Sequence, residues 1–201
     1  MPALLMADAE GRLMIEGNGG DNVSAAAQVD ISSDTTLDDV FREYHKMVFR
    51  AAHRVTGNAA DAEDVLQTVF LRLSRNRPEA VGSMASYLYR AAVNCAFDLM
   101  RSRQAGPMLS LEEARVEFSE DPGHSPEELR QGQELAEWLR STVARLSPRT
   151  AEIFALRYFE GLDNAEIARL VGSSEGTIAV TLHRARTRLI QEFSRFTGGR
   201  S

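Results

Sequence analysis

The clearest hydrophobic pattern in the chain lies near its C-terminus, in the stretch 146–193. Apolar residues recur there every three or four positions, which is the spacing of one helix face. A first short helix is predicted from about Asn164 to Val171, with Asp163 as its N-cap and Glu166 three residues on, as in a capping box. Gly172 can then adopt the positive φ that ends a helix.

A second helix is predicted from about Glu175 to Gln191, directly after that turn. Ser174 is its candidate N-cap, and Thr177 follows three residues later. Its apolar face consists of Ile178, Leu182, Ala185 and Leu189. Two short helices joined by a glycine turn are the outline of a helix-turn-helix.

The outer face of the second helix is rich in arginine. It consists of Glu175, Ala179, Thr181, Arg184, Arg186 and Arg188. Arginines in such a position would contact phosphates, and the shorter side chains near the helix N-terminus would contact base edges in the major groove. The alternative is a solvated, charged face on an ordinary helical hairpin.

Three further helices are predicted within residues 37–103. The first begins at Leu37 behind a threonine cap and ends at Gly57, the second opens at Asp61, and the third runs from Ser83 to about Arg103. The expected buried faces are Leu37, Val40, Phe41, Tyr44, Val48 and Ala52; then Val65, Leu66, Val69, Phe70 and Leu73; then Ala85, Leu88, Ala92, Cys95 and Leu99.

The opposite face of the third helix carries a continuous polar and aromatic stripe of Tyr87, Arg90, Asn94, Asp98 and Arg101. Arginine supplies phosphate contacts, asparagine can read a base edge and tyrosine can stack on an exposed base. Asp98 would repel phosphate, so its expected task is to orient one of the two arginines. From the residues alone, a solvated face with ion pairs between successive turns is the commoner outcome.

The remaining segments show no sustained period. Residues 1–36 are predicted to be a disordered acidic extension, and residues 104–133 a flexible acidic linker with a short helix near Ser110–Phe118. From about Gln133 a helix pattern resumes, with Trp138 as the expected core anchor. Ser147-Pro148 then opens another helix, leading into the helix-turn-helix. We therefore predict an all-α protein of two small helical domains, at 37–103 and 134–196.

Charge follows the same division. The net charge of −6 arises because segments 1–36 and 104–133 carry −5 each, while segments 37–103 and 134–201 carry +2 each. Acidic segments beside basic domains can shield those domains from unspecific DNA.

The sequence contains no group of residues with the spacing of a catalytic, metal or phosphate-binding site. The four histidines have no zinc spacing, the single Cys95 excludes an internal disulfide and no phosphate-binding glycine loop is present. We expect no metal, no cofactor and no catalytic residue. No apolar run reaches the ~20 residues of a membrane span, and the acidic N-terminus is unlike a secretory signal, so a cytoplasmic protein is expected.

Two stretches, taken together, resemble the extracytoplasmic-function sigma factors of the bacterial sigma-70 family. AEDVLQTVFLRLSRN followed by ASYLYRAAVNCAFDLMRSR is similar to the family's promoter-opening domain. LSPRTAEIFALRYFEGLDNAEIARLVGSSEGTIAVTLHRARTRL is similar to its C-terminal domain. The likeness covers about 38–103 and 134–193, in the family's order and with an acidic linker between.

This resemblance implies a factor that binds core RNA polymerase and directs it to promoters by recognising the −10 and −35 elements, with an anti-sigma factor as a further partner. Core-polymerase binding would fall to Asp64, Gln67, Thr68, Phe70, Leu71 and Arg72. Downstream-promoter contacts would fall to Ser86, Tyr87, Arg90, Asn94, Asp98, Arg101 and Arg103. Upstream-promoter contacts would fall to Ser174, Glu175, Thr177, Ala179, Thr181, Arg184 and Arg186. Leu71 agrees independently, because it lies off the apolar stripe and would be exposed without a partner.

The chain departs from the family pattern in two places. Tyr87 stands near a position where the family often has tryptophan, which offers more stacking area. Ala179, Val180 and Thr181 stand where the family usually has basic or hydroxyl residues, so thymine methyl groups and DNA shape would contribute more to specificity.

Two other functions remain open at this point. A stand-alone helix-turn-helix regulator with a helical dimerisation module would not need the AEDVLQTVFLRL helix and the stripe after it. A helical scaffold that binds only proteins would show no affinity for DNA at any salt concentration.

Overall fold

Caps written in the sequence set the helix boundaries of this all-helical pair of domains. The computed structural model describes residues 4–7, 13–16, 36–76, 83–105 and 126–198. Its helices are α1 (Leu37–Thr56), α2 (Ala59–Arg75), α3 (Met84–Ala105), α4 (Pro126–Ala144), α5 (Pro148–Tyr158), α6 (Asn164–Val171) and α7 (Glu175–Gly198).

The N-terminal domain packs α1, α2 and α3 against one another. Thr36 forms a capping box with Asp39 at the start of α1, and Gly57 ends the helix with φ 69°. Asn58 accepts a hydrogen bond from Asp61 N and caps α2, which begins two residues before the predicted Asp61. The predicted apolar faces are largely buried.

Two residues of the α1 face depart from the prediction, because Leu37 and Phe41 are 41% and 40% exposed. The ring of Phe41 contacts His45 on its own helix and meets the edge of Phe70, with ring centroids 4.9 Å apart. Its remaining surface lines an open groove between α1 and α2. The first turn of α1 is therefore less covered than its helical period suggested.

The C-terminal domain consists of α4 to α7, with α7 in contact with each of α4, α5 and α6. Helix α4 begins at Pro126, inside the segment assigned to the linker, and α7 continues to Gly198. Ser147 caps α5 with Pro148 in its first turn, as predicted. Trp138 is half-buried rather than central, and its indole packs against Phe193 and Phe196 at the end of α7.

The two domains touch. Helix α3 packs against α4 and α5, and buried apolar residues of both domains form one cluster. The contact presents the polar face of α3 to the C-terminal domain, which the sequence did not indicate.

An antiparallel pair of strands, β1 (Leu4–Ala7) and β2 (Leu13–Glu16), lies in the N-terminal extension, with Leu4 opposite Glu16. The sequence had suggested no element there. The predicted short helix at 110–118 lies outside the described residues.

Candidate nucleic-acid and polymerase interfaces

The helix-turn-helix forms as the sequence predicted. Asp163 and Glu166 exchange hydrogen bonds of 2.8 Å each in the capping box of α6, and Gly172 ends α6 with φ 62°. Thr177 N donates to Ser174 Oγ at 3.2 Å, which caps α7. These local bonds fix the angle at which α7 leaves the turn.

The outer face of α7 is open to solvent. Its apolar face is buried, whereas six of the seven predicted upstream contacts are exposed: Ser174, Glu175, Thr177, Ala179, Arg184 and Arg186. The seventh, Thr181, is half-buried and donates its hydroxyl to Thr177 O at 2.8 Å. Val180 is 50% exposed. The face therefore offers three exposed arginines, Arg184, Arg186 and Arg188, together with several methyl groups.

The polar stripe of α3 faces the C-terminal domain instead of solvent. Arg90 Nε pairs with Glu152 Oε1 of α5 at 2.5 Å, and Arg90 Nη1 donates to Leu170 O of α6 at 2.8 Å. Tyr87 and Asn94 are half-buried, as is Ser86 near the start of the helix. Neither the expected open DNA surface nor a plain solvated face describes this stripe.

Arg101 and Arg103 are also engaged. Arg101 Nε donates to Ala144 O of α4 at 2.9 Å, and its Nη1 pairs with Asp98 at 2.6 Å, which agrees with the orienting task expected of Asp98. Arg103 forms a two-pronged pair with Asp61, whose side chain is buried. This pair ties α3 to the start of α2 within one domain, so Arg103 has a structural task in addition to its predicted DNA contact.

A second contact between the domains lies at the end of α1. Arg54 Nη1 donates to Phe159 O at 3.2 Å and pairs with Glu160, whose side chain is 4% exposed. Burial raises the pKa of the Glu160 carboxyl, against the lowering effect of Arg54.

Three buried acids, Asp61, Glu152 and Glu160, were missed from the sequence as partners of arginines. The sequence contained a signal for Glu152, since this residue interrupts an otherwise apolar run from Ala151 to Leu156. A charge inside such a run usually has a partner. The identity of that partner was not readable, because Arg90 lies 62 residues away.

The outer face of α2 carries the predicted polymerase contacts. Asp64, Gln67, Leu71 and Arg72 are exposed, and Thr68 is half-buried. Leu71 is 56% exposed, which confirms that it lies off the apolar stripe. Phe70, by contrast, is buried against Phe41, so its side chain does not present a surface to a partner.

A groove of about 700 Å³ runs beside this face between α1 and α2. Its lining combines three apolar residues, Phe41, Phe49 and Leu66, with the polar or charged residues His45, Lys46, Arg50, Glu63 and Gln67. A groove with an apolar floor and charged sides, on a helix that also carries an exposed leucine, is typical of a protein-docking surface.

Family models match both domains. Sigma-70 region 2 matches residues 40–106, and Sigma-70 region 4 matches residues 136–189. An ECF RNA polymerase sigma factor SigL of Mycobacterium tuberculosis is 31% identical over 171 residues, which is 81% of this chain and 90% of that protein. The chain belongs to the extracytoplasmic-function sigma factors.

Further relatives of this sigma factor agree. The ECF RNA polymerase sigma factor SigE of Mycolicibacterium smegmatis is 32% identical over 76% of this chain, which spans only 59% of that protein's length. The ECF RNA polymerase sigma factor SigW of Bacillus subtilis is 26% identical, covering 75% of this chain and 85% of that protein. The family directs promoter-specific transcription initiation, and its members act as DNA-recognition factors for RNA polymerase.

Solved structures give a weaker likeness. CnrH in complex with the cytosolic domain of CnrY aligns with a TM-score of 0.49 and 18% identity, covering 79% of this chain and 88% of that one. The sigma factor RpoE of Bartonella quintana, in complex with the anti-sigma factor NepR, aligns with a TM-score of 0.45 and 17% identity, covering 77% and 94%.

Two further properties of the sigma factor concern its described residues. None of the helices there is both long enough and apolar enough to span a membrane. No group of three or more His, Cys, Asp or Glu side chains in those residues is arranged to hold a metal ion.

Proposed function

We propose that this sigma factor binds core RNA polymerase through the outer face of α2, contacts the downstream promoter element through α3 and reads the upstream element through α7. The open, arginine-bearing face of α7 on a capped helix-turn-helix is the observation that supports this most directly. A region 2 domain in the same chain makes a stand-alone regulator an inferior explanation.

Upstream recognition would depend on few hydrogen bonds to bases. Arg184 and Arg186 project from the exposed face toward the phosphates, while Ala179 and Val180 present methyl groups. Methyl groups recognise thymine by apolar contact, and the shape of the DNA would contribute the rest of the specificity. The upstream element would therefore be rich in A·T pairs.

Polymerase docking would use the exposed Leu71 as its apolar centre, with Asp64, Gln67 and Arg72 around it. An apolar residue encircled by polar ones is the usual anatomy of a protein interface. Thr68 would lie at the rim, and Phe70 would act by holding Phe41 in place rather than by direct contact.

Downstream contact would use the stripe Tyr87, Arg90, Asn94, Asp98 and Arg101, with Ser86 and Arg103 at its two ends. Tyrosine can stack on an unpaired base, and arginine can neutralise the phosphates of the melted strand. Opening DNA in this way consumes binding energy inside the polymerase complex, so the chain itself would need neither enzymatic activity nor a cofactor. We place it in the bacterial cytoplasm, with an anti-sigma factor as the further partner that family membership implies.

Transcription in vitro with core polymerase on a promoter library tests the proposal. We expect discrete transcripts from a subset of promoters sharing two short elements, and none with core polymerase alone. A chain that binds duplex DNA as a dimer and ignores core polymerase would instead be a helix-turn-helix regulator.

A further inference from the structure

Three arginines of the N-terminal domain donate hydrogen bonds to backbone carbonyls at the C-terminal ends of three different helices in the C-terminal domain. Arg54 donates to Phe159 O at the end of α5, and Arg90 donates to Leu170 O in the last turn of α6. Arg101 donates to Ala144 O, at the last residue of α4. The last carbonyls of a helix lack partners within it and carry the negative end of its dipole. Each arginine therefore caps a helix from across the domain boundary.

Two buried carboxylates hold the first two of these arginines. Glu152 and Glu160 are 5% and 4% exposed, and they pair with Arg90 and Arg54 respectively. A buried carboxylate strongly favours a state in which its counter-charge is present, because the unpaired charge is poorly solvated.

A reciprocal contact runs from the C-terminal domain to the end of α1. The guanidinium of Arg140, on α4, lies so close to Gly57 that an added Cβ would be 2.6 Å from Arg140 Cζ. Gly57 is the residue that ends α1. Each domain thus places guanidinium groups beside the C-terminal ends of helices in the other domain.

From these contacts we infer that the free protein occupies a closed state, in which its own C-terminal domain covers the downstream-promoter stripe of α3 and competes with single-stranded DNA for Arg90 and Arg101. The inference rests on the proposed function and deepens it. A guanidinium committed to a carboxylate and a helix carbonyl is not available to a phosphate. The outer face of α7 stays open in this state, so duplex binding is unaffected while binding to the melted strand is suppressed.

Two features of the closed state lower the cost of opening it. Glu152 has a second partner, Arg149 of its own helix at 3.3 Å, so it keeps a counter-charge when Arg90 leaves. Arg101 Nη2 is buried without an acceptor among the described residues. A buried donor without an acceptor weakens the closed arrangement.

The variant Arg54→Gln tests the inference, because the inference and simple electrostatics predict opposite changes in the affinity for DNA. Arg54 lies outside the stripe, and losing a positive charge should weaken binding to DNA if charge alone matters. Under the inference the change removes the ion pair that holds the buried Glu160 across the domain contact, which weakens the closed state and opens the chain. We expect the full-length variant to bind a fluorescent mixed-sequence single-stranded oligonucleotide about tenfold more tightly than wild type.

Arg42→Gln is the matched control, because Arg42 lies on the same helix in an exposed pair with Asp38. It removes the same charge without touching the domain contact. Equal or weaker binding by Arg54→Gln compared with Arg42→Gln overturns the inference.

Glu160→Gln probes the contact from the other domain, with Glu192→Gln of α7 as its control. Dyes on cysteines introduced at the exposed positions Ser74→Cys and Thr187→Cys report the distance between domains by energy transfer. We expect lower transfer efficiency in both Arg54→Gln and Glu160→Gln than in their controls, at unchanged helix content by circular dichroism. Unchanged transfer in both variants overturns the inference.

These measurements need no polymerase. If transcription with core polymerase fails while opening and single-strand binding change as expected, the proposed function fails and the closed state stands. If transcription succeeds and the variants match their controls, the closed state fails and the proposed function stands.

Discussion

At the scale of single residues, the arginines of this chain differ in whether their guanidinium groups are already bound within the protein. Arg184 and Arg186 are exposed on α7, whereas Arg90, Arg101 and Arg103 are each paired inside the molecule. The charge of an arginine is readable from the sequence, but its availability depends on its neighbours. Availability decides which arginines contribute to binding in the free protein.

Replacing Arg184 or Arg186 by alanine should weaken duplex promoter binding across sequences. Each change should reduce the slope of log affinity against log salt by about 1, because one phosphate contact is lost. Fluorescence anisotropy at several salt concentrations measures that slope. Arg195→Ala, further along α7, serves as the control, and an unchanged slope in the first two variants would contradict the phosphate role.

His53 should make stability depend on pH. Burial lowers the pKa of its imidazole below the ordinary 6.5, and the nearby charge of Arg140 lowers the pKa further. As the pH falls below 6.5, the unfolded chain binds a proton that the folded chain does not, so the free energy of unfolding decreases. It is recovered as the pH rises back through 6.5.

Urea unfolding of His53→Gln at about pH 5.5 and about pH 7.5 checks this expectation. The variant should lose less stability on acidification than the wild type does. His45→Gln on the same helix controls for the loss of an imidazole, and identical pH slopes for His53→Gln and the wild type would rule the assignment out.

At the scale of elements, glycines at helix ends decide where two helices stop. Gly172 and Gly57 both have left-handed φ values, and they differ in their surroundings. A Cβ on Gly172 meets nothing within 4 Å, whereas one on Gly57 meets the guanidinium of Arg140. A substitution at Gly172 therefore tests backbone strain alone, whereas one at Gly57 also disturbs a contact between the domains.

Gly172→Ala should lower the free energy of unfolding by about 1 kcal/mol, the cost of a left-handed backbone for an L-residue. Gly57→Ala should cost at least as much and should also displace Arg140. Gly176→Ala, inside α7 and in open space, is the control and should be neutral or stabilising. Chemical denaturation measures all three, and a stabilising Gly172→Ala would contradict the role given to its φ.

Helix boundaries could largely be predicted from the sequence, because caps and periodicity act over a few residues. The bounds of α6 agree with prediction, as do the Ser147 and Ser174 caps. Helix α4 was an exception, since its acidic first turns from Pro126 have a composition that is equally typical of a linker, and α7 continues past its predicted end at Gln191 to Gly198. Leu37, Phe41 and Trp138 are more exposed than their periods suggested, because a period identifies a face but not how far a neighbour covers it.

At the scale of the whole molecule, opposite charges are separated along the chain. The segments 1–36 and 104–133 carry −5 each, whereas the segments 37–103 and 134–201 carry +2 each. An acidic segment next to a DNA-binding domain in the chain lowers the attraction of that domain for phosphate. The effect acts over about a Debye length, so it depends strongly on salt.

Removing residues 1–35 should change the net charge from −6 to −1 and raise affinity for duplex DNA at low salt. The gain should disappear at high salt, where screening removes it. A full-length chain with the six acidic residues of the extension changed to amides separates charge from bulk. An equal gain at all salt concentrations would show that the extension acts by steric contact instead.

The sequence by itself determined the helices, their caps, their buried faces and the two family domains, because each of these depends on residues a few positions apart. Only the tertiary structure decided that the domains meet and that Arg90 and Arg54 are held by Glu152 and Glu160. Those partners lie 62 and 106 residues apart. A local period does not encode contacts at such separations, since they depend on how completed helices pack.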